Sequence, residues 1–247
     1  MTKEPQYAYA LTLREREGLA RLGLMSNWAY REDPRRLLFV LSRYKFAAKM
    51  LRGRQRVLEV GCGDAFATRL VQQEVPHVTA IDFDPIFIDD ARERRDEKWP
   101  LDSRVHDILA GPVEPPEGGF DGAYALDVLE HIPVEHEDAF VRNIALSLVR
   151  ESVAIIGTPS LASHAHASAE SRAGHVNCKD EPGLRELLAR YFAHVFVFSM
   201  NDEVVHTGYY PMANYLMALC CSRRDPAAGG GAPRPKADPV RRGARAR

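Results

Sequence analysis

Three acids stand where a ligand's polar groups could be held: Glu59, Asp82 and Asp107. The first lies in RVLEVGCGDAFATRLV (56–71), two residues ahead of Gly61 and four ahead of Gly63. Glycines at a strand-to-helix turn let the backbone come close to a ligand, because a Cβ would intrude. A dinucleotide site would carry a third glycine where Phe66 stands, so that pyrophosphate could rest on the helix N-terminus. Here the carboxylate of Glu59 repels pyrophosphate and attracts an amino group or a sulfonium, directly or through water. Asp82, 21 residues after Gly61, can accept two ribose hydroxyl hydrogens. Its competing role is a helix N-cap, for which Asp84 ahead of Pro85 is better placed. Asp107 can accept from an adenine amino group, with Ile108 against the ring, or be a solvated turn residue.

These residues need elements to hold them. EDPRRLLFVLSRYKFAAKML (32–51) has Asp33 as N-cap, Pro34 at the first helical position and apolar residues at helical spacing. Beyond Gly53 the pattern alternates: strands at 56–60, 77–82, 104–108, 120–126 and 152–158, with helices at 65–75, 85–99 and 134–149 between them. Such alternation predicts βαβ units and a mainly parallel sheet, since parallel strands need long crossovers. Residues 159–180, rich in Ser, Ala and His, are expected to form a lid or binding loop. A helix follows at 181–192, then strands at 194–200 and 213–221 that suggest a hairpin. The resulting expectation is an α/β, doubly wound fold with an N-terminal helical cap (1–52), a ligand-binding domain (53–221) and a disordered basic tail (222–247).

EVGCGDA, AIDFDP, VHDI and FDGAYALDVLEHIP, in that order and spacing, resemble the signature segments of the class I S-adenosylmethionine-dependent methyltransferases. The resemblance is strong over about residues 55–160 and weak from there to 221. It implies a Rossmann-like, seven-stranded, mainly parallel sheet with helices on both faces and an antiparallel last strand. It implies S-adenosyl-L-methionine as cofactor, with Glu59, Gly61, Cys62 and Gly63 at its methionine end, Asp82 and Phe83 at the ribose, and Asp107 and Ile108 at the adenine. The family often has glycine where this chain has Ala65, and the turn is expected to avoid positive φ there.

LDVLEHIP (126–133) is similar to the corresponding segment of small-molecule O-methyltransferases such as those of quinone biosynthesis, which places Asp127 near the cofactor and His131 toward the acceptor. An imidazole titrates near neutrality, so His131 is the first candidate base for a hydroxyl acceptor and His175 the second. A capping or packing role for His131 is the alternative. His164 and His166 are expected to be solvated loop residues. A metal site built from Glu130, His131 and a loop histidine is conceivable, but no compact ligand spacing joins them, so no metal is expected. The polar and aromatic segment 199–212 suits either an acceptor pocket or an exposed turn.

The expected reaction is methylation of a small polar molecule, a sugar or hydroxylated metabolite, at oxygen. Alternatives are N-methylation of an amino sugar or other small amine, an NAD-dependent oxidoreductase, and an inactive cofactor-binding regulator. The chain of 247 residues is 45% hydrophobic and 27% charged, with net charge -1. That near-neutrality hides an asymmetry: the segment from Ser222 holds eight Lys/Arg and two Asp/Glu, leaving 25 basic and 32 acidic groups before it. An acidic body offers no phosphate-binding face, so no specific nucleic-acid partner is expected. The four cysteines lack CxxC spacing, and no apolar run reaches the ~20 residues of a membrane span. Charges interrupt the first apolar residues, against a signal-peptide core. A cytoplasmic protein is expected, and its oligomeric state is open.

Overall fold

The computed structural model describes residues 2–225, so most of the expected tail lies outside the described residues. Three helices open the chain: α1 (Ala8–Glu17), α2 (Leu24–Glu32) and α3 (Pro34–Met50). Asp33 caps α3 as expected, its carboxylate accepting the Arg35 N–H at 3.2 Å.

The sheet comprises β1 (Arg56–Val60), β2 (His77–Asp82), β3 (Asp102–Val105), β4 (Phe120–Leu126), β5 (Leu148–Pro159), β6 (Phe192–Asn201), β7 (Val204–His206) and β8 (Tyr215–Arg223). Their order is β3-β2-β1-β4-β5-β8-β6-β7. The first five strands are parallel, and β8 is antiparallel to both β5 and β6. The expected doubly wound, mainly parallel sheet is therefore present, but with eight strands rather than seven. The extra strand lies inside the segment expected to be a turn. Asp202, at φ 51°, and Glu203 form a two-residue turn that lets Val204 and Val205 pair back on β6.

Helices cover both faces. α6 (Glu137–Ser147) and α8 (Glu181–Ala189) bury Phe140, Ile144, Leu184 and Leu188 on one face, while α3 and α4 (Thr68–Gln72) bury Ala47, Leu51 and Val71 on the other. Side chains alternate along β1, so Leu58 and Val60 join the first core and Val57 joins the second. Glu59, in phase with Val57, consequently points beneath α3 and α4.

Several boundaries differ from expectation for local reasons. α4 begins at Thr68 because the preceding residues are consumed by the glycine turn. α5 (Pro85–Glu93) stops before a bridge between Asp96 and Trp99, and β3 stops at Val105 because Asp107 makes a side-chain turn to the Leu109 N–H at 2.9 Å. The 159–180 loop is built of short helical turns, including α7 (Ala169–Gly174) capped by Ser168. β8 continues through Arg223, past the expected start of the tail.

The reversal of winding between β1 and β4 puts the ligand crevice at their carboxyl ends. Among the described residues no helix is long and apolar enough to cross a membrane. Phe140 is fully buried while Leu13 on α1 is 39% exposed. Phe140→Ala should cost about 3–5 kcal/mol and Leu13→Ala less than about 0.5, as read from denaturant midpoints; equal losses would contradict the placement of the core.

Candidate active site

The turn after β1 is held by backbone and carboxylate together. The N–H groups of Gly61 and Cys62 both donate to the Ile81 carbonyl, at 2.8 and 3.0 Å. Gly61 (φ 71°) and Gly63 (φ 52°) occupy left-handed conformations, and a Cβ on Gly61 would collide with Val128. Ala65 also has positive φ, 52°, which corrects the expectation that its Cβ would keep the turn out of that region. A short carbonyl bond back to Cys62, donated by the Ala65 N–H at 2.9 Å, closes the turn around it.

Asp82 is the second anchor. Its Oδ2 accepts the Gly63 N–H at 2.9 Å and its Oδ1 accepts the Asp84 N–H at 3.0 Å, leaving a free lone pair on each oxygen at the rim. Asp84, not Asp82, caps α5 through the Ile86 N–H. Phe83 beside it is 74% exposed, an uncovered aromatic face next to Asp82. Asp107 is exposed on its turn, whereas the Ile108 side chain is buried in the core and its carbonyl accepts from Asn143 at 2.7 Å. Cys62 is buried too, and burial pushes its thiol pKa up.

Glu59 has a different environment from the exposed rim. Tyr44 of α3 donates to its Oε1 at 2.7 Å and Thr68 of α4 to its Oε2 at 2.6 Å. Burial raises its pKa to about 7, against the lowering effect of the two hydroxyls. The cap also reaches the turn itself. Asp64 accepts the Ser26 N–H at 2.7 Å, and a Cβ on Gly63 would lie 2.9 Å from the Met25 sulfur.

The β4 end carries the second half of the site. Asp127 sits at φ 59° and forms a forked ion pair in which Arg43 Nη1 reaches its two oxygens at 2.6 and 2.8 Å. Next along the chain, Glu130, His131 and His175 bring one ligand atom each within 4.8 Å of one another. His131 Nδ1 donates to the Gly174 carbonyl at 3.0 Å, which leaves Nε2 available, and the two imidazoles meet edge to face at 5.0 Å. Backbone N–H groups of Val176 and Asn177 bond the Glu130 carbonyl, so the loop is fastened to the β4 turn. Glu130 Oε2 accepts from Thr158 while Oε1 is buried without a partner, and burial followed by the nearby Asp127 charge pushes this carboxyl upward. Burial and the charge of His131 lower the His175 pKa. His164 is half-buried with Nε2 unpartnered, not the solvated residue expected.

The fold thus brings the conceivable ligand set of Glu130, His131 and a loop histidine together, the loop histidine being His175, in a two-histidine, one-carboxylate arrangement of the kind that divalent cations use. A separate cavity of about 350 Å³ lies on the other side of the turn, lined by Asp64, Arg69, Arg94, Arg95 and Trp99, and includes none of the acids at 59, 82, 107 or 127.

Residues 57–151 match the family model described as a methyltransferase domain. The sheet superposes on the N-methyltransferase NodS of Bradyrhizobium japonicum WM9, solved with S-adenosyl-L-homocysteine, at TM-score 0.57 and 19% identity, covering 80% of this chain and 92% of that one. Residues 57–151 are a methyltransferase domain, on a fold shared with S-adenosylmethionine-dependent methyltransferases. A second solved member, from Clostridium acetobutylicum ATCC 824, matches at TM-score 0.62 and 9% identity over 80% of this chain and 97% of its own. At such identities the structures establish the fold alone. Among curated relatives, a ubiquinone biosynthesis O-methyltransferase of Xanthomonas campestris pv. campestris (strain B100) is 30% identical over 114 residues, 44% of this chain and 47% of its own. An uncharacterized methyltransferase of Mycobacterium bovis is 35% identical over 80 residues, 32% of this chain and 39% of its own. The chain thus spans about half the length, or less, of the curated relatives it matches. The match to a methyltransferase domain, and solved neighbours holding S-adenosyl-L-homocysteine or S-adenosylmethionine, count against the nicotinamide alternative.

Arg43, Tyr44, Thr68 and Tyr215 escaped the sequence reading. Arg43 and Tyr215 are 84 and 88 residues from Asp127, and no local pattern announces either.

A carboxyl whose folded pKa of about 7 exceeds its ordinary value of 4.5 binds a proton more tightly in the folded state. Its contribution is therefore fully present below about pH 4.5 and is lost as pH rises toward 7. Glu59→Gln removes this titration: the melting temperature of the wild-type protein should fall more between pH 5 and 8 than that of the variant. Parallel declines would contradict the assignment.

Proposed function

We propose that this chain transfers a methyl group from S-adenosylmethionine to a hydroxyl of a small polar acceptor. The observation that carries the proposal is the shared rim. The Gly61–Gly63 turn, tied to Asp82, and the Glu130, His131 and His175 cluster both stand at the carboxyl ends of adjacent parallel strands.

In this reading Asp82 accepts the two ribose hydroxyls and Phe83 flanks them. Asp107 sits near the adenine edge. Ile108 contributes from within the core, as a support of that turn. Gly61, Cys62 and Gly63 give a backbone surface for the methionine end, and Glu59 secures that surface from beneath through Thr68 and Tyr44. Asp127 attracts the cofactor's ammonium and sulfonium charges. The acceptor enters on the side of His131 and His175.

Methyl transfer is an in-line displacement: the acceptor oxygen forms its bond to the methyl carbon as the carbon–sulfur bond breaks. Alignment in such a geometry can supply ~7–11 kcal/mol. A hydroxyl must also lose its proton, and in this reading His131 Nε2 takes it; the bond from Nδ1 to the Gly174 carbonyl, which leaves Nε2 free, supports that role. The likeness to ubiquinone biosynthesis O-methyltransferases supports oxygen as the acceptor atom. A neutral amine would need no base, and it is the alternative that a retained rate in His131→Ala would favour.

The unpartnered Oε1 of Glu130 favours a second role for the same cluster. A divalent cation held by Glu130, His131 and His175 would lower the pKa of a bound hydroxyl and so replace the imidazole as the means of deprotonation. His131 held at Nδ1 by a backbone carbonyl is oriented as metal-binding histidines are.

Incubation with methyl-labelled S-adenosylmethionine and sets of hydroxylated, sugar and amino acceptors tests the proposal. Label should enter a hydroxylated compound, and label entering amines alone would overturn the oxygen assignment. With the true acceptor, His131→Ala should lower turnover about 100-fold or more. If the imidazole is the base, chelation leaves the rate unchanged; if a cation does the work, chelation abolishes turnover and added Zn²⁺ or Mn²⁺ restores it. Asp82→Ala should weaken cofactor binding by about 1–3 kcal/mol, and unchanged affinity would return Asp82 to a role in holding the turn.

A further inference from the structure

β8, the strand inserted antiparallel between β5 and β6, ends its reach at the β4 rim. Its first residue, Tyr215, pairs in register with Pro159 of β5 and Met200 of β6 and is 2% exposed. The ring packs against Gly157, where a Cβ would lie 2.6 Å from the Tyr215 hydroxyl oxygen and 2.8 Å from Cε1. Gly157 leaves the space the ring occupies.

Tyr215 makes two contacts with the site. Its hydroxyl oxygen accepts the Asp127 N–H at 3.1 Å, a hydrogen that also points to the Gly157 carbonyl at 3.1 Å. Its ring lies under the Arg43 guanidinium, with Cζ 3.8 Å from the ring centroid. Arg43 in turn forks onto the Asp127 carboxylate. One ring therefore supports both partners of the ion pair, and it does so where the pair would otherwise be loose. Asp127 holds a left-handed backbone conformation that a non-glycine residue keeps only where its surroundings over-determine it. Arg43 would otherwise have a long, freely rotating side chain. A guanidinium desolvated over an aromatic face is attracted to it and loses rotational freedom.

We infer that Tyr215 and Arg43 are positioning residues for the cofactor's amino-acid end, acting through Asp127. This rests on the function proposed above, in which Asp127 faces that end of S-adenosylmethionine. The arrangement ties the cap to the β4 turn across the crevice. It also gives the inserted strand a part in ligand binding that its distance from the glycine turn along the chain conceals.

The mechanism predicts coupling. Removing the ring frees Arg43, and removing Arg43 leaves the tyrosine only its hydroxyl contact with the Asp127 N–H, which Gly157 duplicates, so the two losses should not add. S-adenosylhomocysteine binding is measured by calorimetry for the wild type, Tyr215→Phe, Tyr215→Leu, Arg43→Ala and the double variant Tyr215→Leu/Arg43→Ala. Tyr215→Phe keeps the ring, and Asp127 keeps its bond to Gly157, so affinity should stay within about 3-fold. Tyr215→Leu and Arg43→Ala should each lose about 10-fold or more, and the double variant should be no worse than the weaker single one. Independent losses that multiply in the double variant would overturn the inference, because a merely structural tyrosine would not couple to Arg43. Should Tyr215→Leu lose its cooperative thermal transition, Arg43→Lys serves, at a largely buried side chain. It keeps the charge, and one nitrogen can still reach both Asp127 oxygens as Nη1 does, but it loses the planar stacking on Tyr215; wild-type affinity in it would equally overturn the inference. Failure of the wild-type protein to bind S-adenosylhomocysteine would instead sink the proposed function itself.

Discussion

A carboxylate buried at the end of β1 constrains everything around it. Glu59 sits in phase with the apolar Val57, so the pleat that packs the sheet also drives an acid under two helices. An acid there must be neutralised or hydrogen-bonded. The protein does both: burial raises the pKa to about 7, and Tyr44 and Thr68 occupy the two oxygens. Because those hydroxyls belong to α3 and α4, the acid fixes the cap and the helix after the glycine turn relative to β1. Asp82 then fixes the same turn from the other side through the Gly63 N–H. The crevice is a backbone surface clamped between two carboxylates.

This division of labour separates acids with oxygen lone pairs still unused from an acid that is fully engaged in supporting the turn. Asp82 keeps unused lone pairs at the rim, and Asp107 is exposed. Glu59 has neither, and its influence passes through its neighbours. Asp127 is intermediate: its charge is balanced by Arg43, which in the proposed function stands toward the methionine end of the cofactor. A carboxylate and a guanidinium held side by side complement a zwitterionic amino acid, whose ammonium and carboxylate carry the opposite pattern of charge.

How much of this was legible in the sequence follows from the range of the interactions involved. The alternation of strands and helices, the Asp33 and Asp84 caps and the Gly61–Gly63 turn are local, and each was found where expected. Asp82 was separable from Asp84 because Pro85 marks the first helical position. The burial of Glu59 was not legible, since it depends on the face of β1 that α3 covers. Nor was the proximity of His175 to His131, which depends on 159–180 folding as helical turns and on Val176 and Asn177 bonding Glu130. Ala65 was misjudged because a single alanine adopts positive φ when the surrounding bonds over-determine the turn, whatever its intrinsic preference. β7 was missed because two valines are too short a run to announce a strand without knowledge that β6 ends beside them.

Amide hydrogen exchange in the presence and absence of S-adenosylhomocysteine tests the central claim that the rim over β1, β2 and β4 is the cofactor site. The account predicts slower exchange at residues 61–66, 82–84, 107–109 and 127–131 when the ligand is present. Protection confined to the arginine-lined cavity between α4, α5 and β3, with the glycine turn unaffected, would contradict it.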